Sequence, residues 1–128
     1  RVFTFSMHGA RNYPVQKEIS DLDIELEDGT TDDQYLAILA EKLPELVQGV
    51  KPDFIFFQSG VDVLETDKLG RMGMTIHGCA GRDKLVLETA HRAAIPLVAS
   101  MGGGYSPRIA DIVEAHANTF RIANELYF

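Results

Sequence analysis

Residues 53–70 read DFIFFQSGVDVLETDKLG, and the change of character halfway along them sets the architecture. Phe54 through Phe57 form an unbroken apolar run. A strand with one wet face would alternate, so this run predicts a strand over 53–60 covered on both faces, the habit of parallel sheets. The second half turns small and acidic, with Ser59 and Gly60 followed by Asp62, Glu65 and Asp67. A buried strand that empties into acids and glycines is either an ordinary exit to solvent or the rim of a site.

The flanking segments repeat the theme. RVFTFSMH (1–8) alternates and is rich in β-branched and aromatic residues, predicting a strand that starts almost at the first residue. GARNYPVQKEIS (9–20) carries Gly, Asn and Pro and reads as a loop. DLDIELEDGT (21–30) alternates apolar and acidic residues before Asp-Gly, a short edge strand with one wet face. Thr31, Asp32 and Asp33 suit a helix start. Tyr35, Leu36, Ile38, Leu39, Leu43, Leu46 and Val47 then recur at helical spacing, and Pro44 either kinks this helix or splits it. Thr75 begins a second helix with Leu85, Val86, Leu87 and Ala90 in its core stripe. IPLVASM (95–101) is another buried strand, GGGYSP (102–107) a turn, and Pro107 belongs in the first turn of a long closing helix. The order predicts an α/β fold, a three-layer α/β/α arrangement around a mainly parallel sheet. Ligands in such folds sit beyond the carboxyl ends of the strands, here the loops after His8, Gly60 and Met101.

A chain of 128 residues is one domain's worth, spanning 1–128, and buries about two-thirds of its unfolded surface. Its net charge of −7 argues against nucleic acid as a partner, since phosphate binding wants a basic face. No run approaches the ~20 apolar residues of a membrane span, and no signal peptide opens the chain. The single cysteine, Cys79, permits no internal disulfide and fits a reducing, cytoplasmic location.

Asp62, just past a strand end, can ligate a metal or act as a base, or simply cap a turn. Asp67 reads as a residue that bonds backbone groups and shapes the loop, and Glu65 as a solvated acid. MGGGY (101–105) permits positive φ and close approach of backbone to a ligand. Tyr105 could there donate to a developing oxyanion, or pack on the surface of a tight turn. A glycine run can also cradle phosphate, but neither a Gly-x-Gly-x-x-Gly pattern nor a P-loop lysine is present. His8 could face the same rim; His77, His91 and His116 fall in helices and read as surface or packing residues. Cys79, near a helix start but with no base beside it, reads as a structural thiol.

Together SGVDVLETDKLG, MTIHGCAGRD, MGGGY and the opening VFTFSMHGARNYP resemble the zinc-dependent histone deacetylase superfamily, its class IV-like and bacterial members in particular. The resemblance covers essentially the whole chain. It implies an arginase/deacetylase-like fold and a hydrolase that removes an acyl group from an acylated lysine or a small acylated amine. It implies that Asp62 is a ligand to Zn2+ and that Tyr105 polarises the amide carbonyl. Tyr13, Leu69 and Gly103 resemble walls of the substrate tunnel, and Ser6 and Met7 a stretch whose backbone holds a structural K+. The family also uses an Asp-x-His pair for zinc and a tandem histidine dyad, and neither motif occurs in this sequence. The chain therefore reads as the carboxyl-terminal part of a single deacetylase-like domain, with an incomplete sheet and no catalysis of its own. A binuclear ureohydrolase would carry a second aspartate where Leu64 stands, which disfavours that alternative. A non-catalytic alternative also stands: a fragment that self-associates, or pairs with a missing amino-terminal half through uncovered sheet.

Overall fold

The computed structural model describes residues 1–128, in which strands β1 (Phe5–Gly9) and β2 (Leu22–Leu26) precede helix α1 (Asp32–Val50). Strand β3 (Ile55–Gly60), helix α2 (Ile76–Arg92), strand β4 (Leu97–Gly102) and helix α3 (Ile109–Tyr127) follow. Every predicted element is present. β1 starts at Phe5 because the chain before it is engaged otherwise: Thr4 donates from its backbone N–H (2.8 Å) and its hydroxyl (3.0 Å) to the Asp21 carboxylate.

β1 pairs in parallel with β2, Phe5 opposite Leu22 through Gly9 opposite Leu26. β3 pairs in parallel with β4, Ile55 opposite Leu97 through Gly60 opposite Gly102. The two pairs are separate two-stranded sheets, not one continuous sheet. Helix α2 packs against both α1 and α3. The parallel α/β class holds, in an incomplete form.

One expectation is corrected by this arrangement. β3 and β4 are covered on one face only: Phe57 packs on the core and Ser59 is buried, whereas Phe56 is 83% exposed and Val98 and Met101 of β4 are exposed as well. An apolar run reports what a strand is built to bury, and no element of this chain lies over the Phe56 side.

Helix ends follow their sequence signals. Gln34 Oε1 accepts from the Thr31 N–H at 3.0 Å, the return arm of a capping box. Thr75 Oγ1 accepts from the Gly78 N–H at 3.0 Å and donates to Asp32 at 2.6 Å, which joins the starts of α1 and α2. α1 runs unbroken through Pro44. The proline and Ala40, whose carbonyl loses its usual partner, are both exposed, so water can take the missing bond. Pro107 is not in the first turn of α3: Arg108 is the N-cap, extended at φ −99° and ψ 110°, and the proline precedes it.

Much of the core comes from the β3–α2 connection. Val61, Val63, Leu64, Met72 and Met74 are buried alongside Leu26, Tyr35 and Leu39. A short parallel bridge joins Leu64 to Met74. This connection is an interior segment rather than a solvated loop, and it is where the acids of 62–67 reside.

Candidate functional site

The carboxyl ends of β1, β3 and β4 converge on this interior segment. Past β3, the Val61 N–H continues the ladder to the Gly102 carbonyl at 2.9 Å. Asp62 follows, half-buried, and three glycines from three segments make room for it. A Cβ on Gly60 would stand 2.8 Å from Asp62 Oδ1, and one on Gly103 3.0 Å from its Cβ and 3.2 Å from Oδ1. A Cβ on Gly70 would collide with the Asp62 carbonyl. Gly103 also takes φ +70° and Gly104 φ +117°, conformations that side chains disfavour. A Cβ on Gly9, the last residue of β1, would reach 3.2 Å from the Gly70 carbonyl. The glycines after the strands therefore serve close approach around one carboxylate.

Asp67 carries out the loop-shaping role its position implies. Its Oδ1 accepts from the backbone N–H groups of Leu69 (2.8 Å) and Gly70 (2.9 Å). Its Oδ2 accepts from the Tyr105 N–H at 2.8 Å. The hydroxyls of Thr66 and Ser106 meet at 2.8 Å beside it. The segment after β3 and the glycine turn after β4 are thus one assembly. Tyr105 is anchored by its backbone while its side chain is 59% exposed.

Among the predicted site residues, Asp62, Leu69, Gly103 and Tyr105 are brought into this assembly. Ser6 and Met7 lie half-buried in β1, and the Ser6 hydroxyl is 2.8 Å from His8 Nδ1. Tyr13, 74% exposed on the loop after β1, is joined by no hydrogen bond to the others. That loop is gathered by Lys17, whose Nζ donates to the carbonyls of Asn12 and Pro14 at 2.9 Å each. His91 packs edge-on against Tyr127 at 4.8 Å, a packing residue, and His77 is exposed at the start of α2.

Behind the site lies a feature the sequence reading missed. Arg82 and Asp83 are 4% and 0% exposed, with Arg82 Nη2 2.7 Å from Asp83 Oδ1. Arg82 Nη1 donates to the Gly60 carbonyl at the end of β3, and Thr119 of α3 donates to Asp83 Oδ2 at 2.6 Å. The guanidinium also lies 5.6 Å from the centre of the Phe57 ring. Burial opposes the Arg82 charge, and its neighbours, Cys79 and Asp83 foremost, outweigh that and raise its pKa. The signal was available: two opposite charges occupy the same helical stripe as Cys79, Val86 and Ala90. Cys79 is buried, and burial pushes its thiol pKa up to about 11, which makes it a neutral structural thiol.

No three His, Cys, Asp or Glu side chains come together in a way that could hold a metal ion. Asp67 spends both its oxygens on backbone N–H groups, leaving Asp62 as the one acid framed at the strand ends. Catalytic zinc takes about three protein ligands. These residues alone do not fit a zinc ion.

The model of the histone deacetylase domain family matches residues 1–120. An uncharacterized protein of Picosynechococcus sp. is 46% identical over 126 residues, covering 98% of this chain and 42% of that protein. Histone deacetylase 2 of Arabidopsis thaliana is 31% identical over 116 residues, 88% of this chain and 30% of that protein. The crystal structure of the HDA15 HD domain aligns over 95% of this chain and 38% of that one, with TM-score 0.69 and 19% identity, a likeness of fold. The chain thus spans less than half the length of the relatives it matches. A parallel α/β frame, an aspartate held among glycines at its strand ends and a family match over nearly every residue lead to one conclusion: this chain belongs to the histone deacetylase domain family.

Proposed function

We propose that the chain supplies the Asp62 and Tyr105 side of a zinc-dependent deacetylase centre, and that polypeptide beyond these 128 residues completes it. The observation that carries this reading is the frame around Asp62: Gly60, Gly70 and Gly103 crowd it from three segments, and the Asp67 carboxylate ties Tyr105 into the same frame. Asp62 would contribute one metal ligand. The Tyr105 hydroxyl would donate a hydrogen bond to the oxygen that gains negative charge as the amide is attacked. Leu69, Gly103 and Tyr13 would line the channel for the alkyl stem of an acylated lysine or a small acylated amine. Backbone carbonyls near Ser6 and Met7 would face a potassium ion.

The test is metal-dependent deacetylation of an acetyl-lysine peptide by the isolated chain, by the longer protein and by its Tyr105→Phe variant. The isolated chain is expected to be inactive and the longer protein active. Loss of one oxyanion donor should lower kcat by about 10²–10³-fold. Full activity in Tyr105→Phe, or hydrolysis by the isolated chain, would overturn the reading. The ureohydrolase alternative is weakened further, since Leu64 is buried in the core where a second metal-bridging acid would be needed.

A second reading rests on the uncovered sheet face. Phe54 and Phe56, with rings 4.9 Å apart, are exposed together with Val98. In the isolated chain this face would bind a second copy or a complementing polypeptide. Size-exclusion chromatography with and without Phe56→Lys checks it. A monomeric wild-type chain that also ignores an added amino-terminal half argues against it.

A further inference from the structure

We infer that Asp67 is a positioning residue, one that sets where the Tyr105 hydroxyl stands relative to Asp62 and couples that placement to the Leu69 wall. The inference rests on the roles proposed above for Tyr105 and Asp62. Tyr105 follows two glycines at φ +70° and +117°, so the turn that carries it has little intrinsic preference for one path. Tyr105 is exposed, so packing holds it only weakly. What fixes it is the backbone: the Tyr105 N–H is held at 2.8 Å by Asp67 Oδ2, and its carbonyl accepts from the Lys68 N–H only at 3.4 Å. The other Asp67 oxygen holds the Leu69 and Gly70 N–H groups, and Gly70 lies against the Asp62 carbonyl. One buried carboxylate, 8% exposed, therefore spans the proposed hydroxyl, channel wall and metal-ligand backbone. Hydrogen bonds to a charged acceptor are short and about twice as strong as neutral ones, which suits a clamp. With both oxygens occupied by N–H donors, Asp67 acts through its neighbours and not on a substrate.

Asp67→Asn keeps the shape but turns an amide NH2 toward one of the three N–H groups. Misplacement by about 1 Å costs up to about 10²-fold in rate. The experiment compares wild type, Asp67→Asn, Tyr105→Phe and the double variant in the longer protein, with kcat, KM, metal content and amide hydrogen exchange measured on each. Asp67→Asn is expected to lower kcat by about 10- to 100-fold with metal content unchanged. In the Tyr105→Phe background the same change should cost clearly less than in wild type, since one of the groups it positions is gone and only its hold on Leu69 and Gly70 remains. The amides of Leu69, Gly70 and Tyr105 should exchange faster than in wild type while those of the helices do not. Equal losses in both backgrounds, or unchanged exchange at the three amides, overturn the inference. If Tyr105→Phe proves fully active, the proposed function fails by itself, and the exchange data alone then judge the clamp. If Asp67→Asn does not fold, exchange in the wild type decides: a Tyr105 amide unprotected in its exposed turn refutes the clamp.

Discussion

Replacing Asp83 by Asn removes one negative charge from the interior and leaves its shape almost unchanged. Arg82 Nη2 and Asp83 Oδ1 are 2.7 Å apart, and the two residues are 4% and 0% exposed. At an effective dielectric of 20, charges at that distance attract by about 6 kcal/mol. The folded state has already borne the desolvation of both groups, so the lost attraction leaves a buried guanidinium with the Gly60 carbonyl and Cys79 Sγ as its other partners. Relaxation toward water returns part of this, and the expected net loss is about 3–5 kcal/mol. Against a total stability of about 5–15 kcal/mol, that brings the protein close to unfolding. The assay is urea unfolding at neutral pH with a shared m-value. Arg82→Met combined with Asp83→Leu should be less destabilising than Asp83→Asn alone, because no uncompensated charge remains. A loss below about 1 kcal/mol in the single variant, or a double variant as damaged as the sum of its singles, would refute the reasoning.

Three further outcomes are expected. Because the Cys79 thiol is raised from 9.0 to about 11, the unfolded chain loses this proton first, so stability should fall as pH rises from 9 to 11. The fall attributable to Cys79 is up to about 3 kcal/mol, and a wild-type pH profile with the same slope as that of Cys79→Ala contradicts it. Gly49, in the last turns of α1 with open space around its Cα, should accept alanine with a gain of about 0.5–1 kcal/mol, read as a shift in the urea midpoint. Gly70→Ala should instead drive the Asp62 backbone from its place, and the longer protein should then lose metal affinity. Unchanged metal binding there would show that the Gly70 contact does not matter.

Element order and type were legible because each rests on local chemistry. The apolar run 53–60, the wet alternation of 21–30 and the stripe through Tyr35 and Leu39 are periodic signals that survive without tertiary context. Asp62 and the MGGGY turn stood out for the same reason, as residue types that a plain strand exit does not require. Asp67 was read as a loop-shaping acid, which its three N–H bonds match. Other features depended on partners far along the chain. That Gly60, Gly70 and Gly103 all crowd one carboxylate is a fact about three segments meeting, and no spacing encodes it. Arg82 and Asp83 share a helical stripe with Cys79, Val86 and Ala90, but that Gly60 and Thr119 close over them is decided by other segments. Phe56 looked buried because a sequence records the hydrophobicity of a side chain, whereas exposure depends on which other element arrives to cover it. Local propensity is written residue by residue; burial and convergence are properties of the assembled chain.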